Sequence, residues 1–141
     1  MKGKRQLKTI ITTYGEVVRK ESESRVNNAI SELRKSGKIV SVIPHNVGMM
    51  PIKLLYEIIY EEAEISPDKL EAARFLKTVT MTIDEVTEKE SGVIPEQKVN
   101  EVIDNIYDKG GRVISIVPHN IGLNPVLVMY DIIYEAFEPI E

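Results

Sequence analysis

The sequence predicts an α+β protein built from two tandem β-α-β-β modules, and two observations support this. The chain repeats itself, because VNNAISELRKSGKIVSVIPHNVG at 26–48 is answered by VNEVIDNIYDKGGRVISIVPHNIG at 99–122. Each copy also contains one stretch of helical periodicity set among β-branched stretches. We expect modules at residues 1–65 and 66–141, related by pseudo-two-fold symmetry, with each antiparallel sheet covered by one helix.

Each copy opens with a predicted strand. Residues 7–14 and 76–83 are rich in Thr, Ile and Val, which favour extended structure. The two stretches align at an offset of 69 residues, whereas the offset is 73 at the helix and 74 beyond it. Short insertions near Gly92 and Gly110 therefore separate two copies of one unit.

A helix follows the first strand in both copies. Apolar residues recur at relative positions 0, 3, 4 and 7, which is the spacing of a single helix face. They are Val26, Ala29, Ile30 and Leu33 in the first copy and Val99, Val102, Ile103 and Ile106 in the second. We expect Gly37 and the Gly110–Gly111 pair to end these helices, since glycine tolerates the left-handed cap conformation.

The second strands are predicted at 38–44 and 112–118, each closing with Pro-His-Asn-Val/Ile-Gly. Proline interrupts strand ladders, and Asn and Gly permit tight turns, so this motif is predicted to reverse the chain. A short linker helix is predicted to begin at Ser66, an N-cap residue followed by Pro67.

The last element is predicted as a strand at 52–60 and 126–134, because apolar and polar residues alternate there. A helix is the alternative, since Lys53, Glu57 and Glu61 are four residues apart and Pro51 could begin one. With strands in place, we expect a core shared by both modules. Its predicted members are Val26, Ile30, Leu33, Ile58, Val99, Ile103, Ile106 and Ile132.

The face of the last strand that points away from the core is half apolar in both copies, whereas a solvated sheet face is mostly polar. Two interpretations remain open, and they can coexist. The face could be a contact between the two modules, or the interface of a homo-oligomer of even symmetry. Its residues are Lys53, Leu55, Glu57, Ile59 and Glu61, then Leu127, Met129, Asp131, Ile133 and Glu135.

Composition excludes several classes of function. The net charge of −4 and pI near 5.3 argue against a nucleic-acid polymer as partner. The chain has no cysteine, which excludes thiol chemistry and thiolate metal sites. We see neither a secretory signal pattern nor an apolar run of about 18 residues, so we expect a cytoplasmic protein without a membrane partner.

The strand that follows Gly37-Lys38 and the Ile-Ile-Tyr-Glu sequence at 58–61 and 132–135 carry a resemblance. They resemble the Cse-type small sporulation-associated proteins, which are short β-α-β-β modules without a defined activity. The element order is also similar to that of dodecins, flavin-binding proteins that assemble into shells. This second resemblance implies a topology only, since the chain lacks tryptophan for stacking on a flavin.

The candidate site residues lie in the repeated Pro-His-Asn motif. They are His45, Asn46, Gly48, His119, Asn120 and Gly122, and four of the motif's five positions are identical between copies. The motif could be a purely structural turn, or it could bind a ligand through backbone N–H groups, imidazole and carboxamide. Catalysis and metal binding have the least support, because the sequence shows no acidic partner at ligand spacing.

These observations predict a non-enzymatic protein without cofactor that binds or sequesters a small, nucleotide-like ligand and self-associates. Small proteins with which phages sequester nucleotide signals share its size and its lack of catalytic motifs. The alternative is a protein-interaction or assembly factor whose histidine motifs are only structural. In that case the half-apolar sheet face would bind the partner.

Overall fold

A computed structural model describes residues 4–49, 52–63, 71–82, 94–123 and 126–141. It confirms the α+β class, with two three-stranded antiparallel sheets and few helices. We call residues 4–63 the first half and residues 71–141 the second half. The predicted linker helix and the end of the strand predicted at 76–83 lie partly or wholly outside the described residues.

Each half contains three strands. The elements of the first half are β1 (Arg5–Thr13), α1 (Tyr14–Val18), α2 (Glu21–Leu33), β2 (Gly37–Met49) and β3 (Ile52–Glu62). Those of the second are β4 (Ala73–Thr82), α3 (Ile94–Asp108), β5 (Arg112–Leu123) and β6 (Val126–Ala136). The last element of each half is therefore a strand, as its alternation predicted.

The last strand is central in both sheets, with the orders β1-β3-β2 and β4-β6-β5. The Pro-His-Asn motif lies within β2 and β5, so its prediction as a chain-reversing turn was wrong. Both strands are edge strands, where a proline without an N–H is tolerated. The pairing register shifts between Asn46 and Gly48, and again between Asn120 and Gly122, so the glycine marks a bulge instead of a turn.

Local signals at the helix ends differ from the prediction in two places. Helix α1 was not predicted, although Thr13 and Glu16 form a capping box at its start. Gly110 does adopt a left-handed conformation, with φ of 86°. Gly37 instead permits close approach of two strands, because a Cβ there would lie 2.8 Å from the Glu61 carbonyl oxygen.

One hydrophobic core extends through both halves. Six of the eight predicted core residues are buried, and Leu33 and Ile103 are partly buried against them. Aromatic and aliphatic side chains with no exposed surface fill its centre, and burial of each such side chain stabilises the fold by about 1.5–3 kcal/mol. The largest are Tyr56, Tyr134, Phe75, Ile30, Leu54 and Ile58.

The two faces of each sheet are distinguished by the residues they carry. We call one the tyrosine face, since it carries Tyr56 in the first sheet and Tyr130 in the second. The other is the histidine face, which carries His45 and His119, because the register places them opposite Leu55 and Met129. Strand residues alternate between the two faces.

The tyrosine face of the first sheet packs against the histidine face of the second. Tyr56 donates a buried hydrogen bond of 3.1 Å to Asp131 across this contact. Strand β2 approaches both β4 and β5. A two-fold axis would require the reciprocal contact between Tyr130 and Glu57, but Glu57 lies on the histidine face of the first sheet, opposite to the face that meets the second sheet. The predicted pseudo-two-fold relation is therefore not confirmed.

Helix α2 also packs on the second half, at the edge of β4 that pairs with no other strand of its sheet. Asn27 accepts a hydrogen bond from the Leu76 N–H (2.7 Å) and donates one to the Leu76 carbonyl (2.8 Å). Glu23 accepts from the Thr78 N–H at 2.6 Å. Side chains thus satisfy an edge strand that would otherwise present unpaired peptide groups. The expectation that each helix simply covers its own sheet was incomplete for α2.

Candidate functional site

His45 lies on the histidine face of the first sheet, next to a carboxylate. Its Nε2 contacts Glu57 Oε1, and the two side chains are 41% and 30% exposed. Glu57 stands opposite Ile43 in the β2–β3 ladder, two residues from His45, which makes the pair diagonal neighbours. Both side chains are partly open to solvent, although the contacting Nε2 atom is buried.

His119 forms the equivalent pair in the second half, but this pair is buried. Its Nε2 lies 2.8 Å from Asp131 Oδ2, with side-chain exposures of 6% and 0%. Tyr56 completes the network by donating to the other carboxylate oxygen. A His–Asp–Tyr group therefore joins the two halves where they meet.

The environment of this buried network changes the ionisation of its members. Burial raises the pKa of Asp131, although the hydrogen bond from His119 opposes that rise. Burial, followed by the neighbouring Asp131 charge, raises the pKa of Tyr56 far above its ordinary range. Tyr56 is thus held in its protonated form, in which its hydroxyl donates to Asp131.

The expectation that neither histidine has an acidic partner was wrong. It followed from placing both histidines in turns, where strand neighbours cannot be assigned. Once 44–48 is read as strand, the hairpin pairs His45 with Leu55 and brings Glu57 beside it. The glutamate and aspartate at equivalent positions of the repeat were the available signal.

The other predicted site residues do not converge on these pairs as a ligand loop. Asn46 is exposed and stands opposite Leu54, hence on the tyrosine face. Gly48, Asn120 and Gly122 belong to the bulged ends of β2 and β5, and their surroundings lie outside what the structure describes. In the first sheet, His45 and Asn46 therefore lie on opposite faces.

A groove lies elsewhere in the described structure. Its volume is about 880 Å³, and it runs along the C-terminal segment. It is lined by Arg34, Lys109, Gly110, Ala136, Phe137, Glu138, Pro139, Ile140 and Glu141. None of the six predicted site residues contributes to it. Among the described residues, no cluster of three or more His, Asp or Glu side chains could hold a metal ion.

Apolar side chains surround the exposed His45–Glu57 pair. Leu7 and Ile11 are each 54% exposed and Ile43 is 40% exposed, with Leu55 and Ile59 half-buried between them. The equivalent face of the second sheet is covered, since Leu76, Met129 and Ile133 have almost no exposed surface. We call the exposed set on the first sheet, together with His45 and Glu57, the outer patch.

No family model, curated protein or solved structure matches this chain. None of the described helices is long and apolar enough to cross a membrane. The outer patch and the buried His119–Asp131–Tyr56 network are thus interpreted from their own geometry.

Proposed function

We propose that this chain is a non-enzymatic protein-interaction and assembly protein, and that the outer patch is its binding surface. One observation carries the proposal. At the centre of the same face of the second sheet, Leu76, Met129 and Ile133 are covered by protein, and Tyr56 completes the buried histidine–carboxylate pair. The first sheet repeats that face and leaves it exposed.

Physical chemistry supports a protein partner for this surface. A solvated face of an antiparallel sheet is normally polar, whereas the outer patch groups five aliphatic side chains around one polar pair. Contiguous exposed apolar surface is typical of interaction sites. Edge strand β1, which bears Leu7 and Ile11, adds peptide groups that can pair with a partner.

The absence of catalysis in this proposal follows from access. His119 is enclosed in the core, so a substrate could not reach its imidazole. The His45–Glu57 pair has a general base's composition but stands on an open sheet face among aliphatic side chains. Catalysis requires a substrate held against such a pair, which a flat surface does not provide.

The proposal includes an origin for the repeat. Tandem duplication of one β-α-β-β unit accounts for the repeated sequence and for two sheets with the same strand order. The units then stack with the tyrosine face of one on the histidine face of the next, instead of about a two-fold axis.

Capture experiments with the outer patch intact or disrupted test the proposal. Immobilised wild-type protein should retain a protein partner, its own chain included, that Leu55→Asp loses. Glu32→Lys, a charge change at a side chain 74% exposed on α2, is the matched control and should retain it. Identical sets of bound proteins for wild type and Leu55→Asp would contradict the proposal.

Binding of a nucleotide-like ligand is the second candidate, and the exposure of His45 is the observation that favours it. A thermal-shift screen against nucleotides and cyclic nucleotides would then show stabilisation that His45→Ala abolishes. The absence of a shift with every nucleotide would count against this candidate. His119→Ala is a poor test of ligand binding, because His119 belongs to the core.

A further inference from the structure

The chain contains one interface between its halves, built from four groups of contacts. Arg34, just after α2, donates to the carbonyl oxygens of Glu71 and Phe137. Asn27 bonds both peptide groups of Leu76 at the β4 edge. Glu23 accepts from the Thr78 N–H, and its other carboxylate oxygen lies 3.9 Å from the Lys77 ammonium. Tyr56 donates to Asp131 between the sheet faces.

Three residues on the helix and tyrosine-face side of that interface have an identical counterpart in the second half that is exposed or half-buried, whereas Arg34 is replaced by Tyr107. The helix α3 carries Asn100 at the position of Asn27 and Glu96 at the position of Glu23, and both are exposed. Tyr130, the counterpart of Tyr56, is only half-buried. Beside it Ile116 is 41% exposed, whereas its counterpart Val42 is buried.

The opposite side of the interface is repeated in the first half. Strand β1 has Leu7, Lys8 and Thr9 at the positions of Leu76, Lys77 and Thr78, all exposed. It pairs with β3 in the register in which β4 pairs with β6. The peptide groups of Leu7 and Thr9 therefore point outward, as those of Leu76 and Thr78 do.

We propose that a second copy of this chain binds the outer patch, with its α3 and the tyrosine face of its second sheet repeating the internal interface. This inference rests on the proposed function and identifies its partner. Asn100 of one copy would bond the Leu7 peptide groups of the next. Glu96 would take the Thr9 N–H and pair with Lys8.

The partner copy also completes the site on the outer patch. The buried network contains a tyrosine from the neighbouring sheet, whereas no tyrosine among the described side chains of the same chain bonds the His45–Glu57 pair. Tyr130 of the second copy supplies that hydroxyl to Glu57. Each contact between two copies then contains the same tyrosine–carboxylate–histidine group that the chain already contains once.

Charge complementarity supports this partner over others. Residues along the exposed side of α3 include Glu96, Glu101 and Asp104, whereas β1 carries Arg5 and Lys8, with Lys4 just before it. The acidic helix side would face the basic edge, as Glu23 faces Lys77 within the chain. Contacts between unlike surfaces are heterologous, so they close into a ring or continue as a filament and do not require even symmetry.

Sedimentation velocity and light scattering over a wide concentration range test self-assembly. Wild-type protein should form species larger than the 16.0 kDa chain, increasingly so at higher concentration. Glu96→Lys and Lys8→Glu should each raise the protein concentration needed for assembly at least tenfold, and Glu32→Lys should leave it unchanged. A single 16.0 kDa species at every concentration would overturn the inference.

Mixing experiments test whether α3 of one copy binds the outer patch of the next, and wild-type species larger than twice the chain mass exclude a symmetric dimer. Glu96→Lys mixed with Lys8→Glu should assemble again. When the two variants alternate, an acidic and a basic side chain meet at every contact between copies. Leu55→Asp, which blocks the outer patch, mixed with Asn100→Arg, which blocks α3, should stop at a heterodimer of twice the chain mass. If both mixtures fail although circular dichroism shows that each variant is folded, a head-to-tail contact between copies is contradicted.

The results also separate this inference from the proposed function. If wild-type protein is monomeric and still loses a bound protein on Leu55→Asp, the outer patch binds another partner and only self-assembly fails. If Leu55→Asp changes neither assembly nor capture, the outer patch has no binding role and both fail.

Discussion

The two halves of this protein have closely similar sequences and opposite patterns of exposure. Leu76 has no exposed surface and Leu7 is 54% exposed, although they occupy the same position of the repeat. On the tyrosine face the order reverses, since Tyr56 is fully buried and Tyr130 is not. The structure that packs against a residue, and not the local sequence, therefore determines in which half that position of the repeat is buried. A sequence position can be suited to burial without being buried in a single chain.

Truncation of the paired leucines should give the largest difference between the halves. Leu76→Ala leaves a cavity in the core and should lower the free energy of unfolding by about 2–5 kcal/mol. Leu7→Ala, at a concentration where the chain is monomeric, should cost less than about 0.5 kcal/mol. Urea unfolding measures both. Equal costs would show that the outer patch is covered in the monomer.

The paired asparagines should give the next largest difference. Asn27→Ala leaves the N–H and C=O of Leu76 without their partners in a buried setting, which should cost about 2–4 kcal/mol. Asn100→Ala removes an exposed side chain and should leave the unfolding midpoint almost unchanged. The same variant should weaken assembly in sedimentation. A strong loss of monomer stability in Asn100→Ala would indicate that α3 already contacts a strand edge within the chain.

The elements of the fold were predictable because they depend on local periodicity. The 0, 3, 4, 7 spacing from Val26 and the alternation from Leu54 both correspond to observed elements. The arrangement of the sheets was not predictable in this way. Both faces of the last strand contain apolar residues, so pattern alone leaves open which face meets which. The hydrogen bond between Tyr56 and Asp131 decides this, and it joins residues 75 positions apart.

The candidate site was predicted only in part. The repeated histidines were recognised, but proline and glycine around them indicated a turn, whereas an edge strand with a bulge accommodates both. Their carboxylate partners follow from the hairpin register. Had β2 and β5 been predicted at their observed lengths, that register would have placed Glu57 beside His45 and Asp131 beside His119. Tyr56 as partner of the second pair depends on packing between the halves, and no local signal indicates it.

The paired tyrosine hydroxyls should give a smaller difference. Tyr56→Phe keeps the ring in the core and removes one donor from buried Asp131, which should cost about 1–3 kcal/mol. Tyr130→Phe should change the monomer by less than about 0.5 kcal/mol, because its side chain is only half-buried. Chemical unfolding of both variants checks this. If Tyr130→Phe instead costs as much as Tyr56→Phe, the hydroxyl of Tyr130 already has a buried partner within the monomer.

The smallest effect concerns the pH dependence of the buried network. Burial raises the pKa of Asp131 in the folded state above its ordinary value of 3.8, so the folded protein holds this proton more tightly than the unfolded chain. The associated stability is complete below about pH 3.8 and is lost as pH rises through the folded pKa.

Asp131→Asn cannot ionise, and its amide can still accept from Tyr56 and donate to a neutral His119. Its unfolding free energy should therefore improve relative to wild type as pH rises from about 3 to 7, by roughly 1.4 kcal/mol for each unit by which the pKa is raised. Glu57→Gln, which removes the equivalent carboxylate where the side chain is 30% exposed, is the matched variant. Urea titrations across this range measure both variants. If the difference in unfolding free energy between Asp131→Asn and wild type stays constant with pH, burial does not raise the pKa of Asp131. The contacts of this carboxylate with Tyr56 and His119 would then compensate for its loss of hydration.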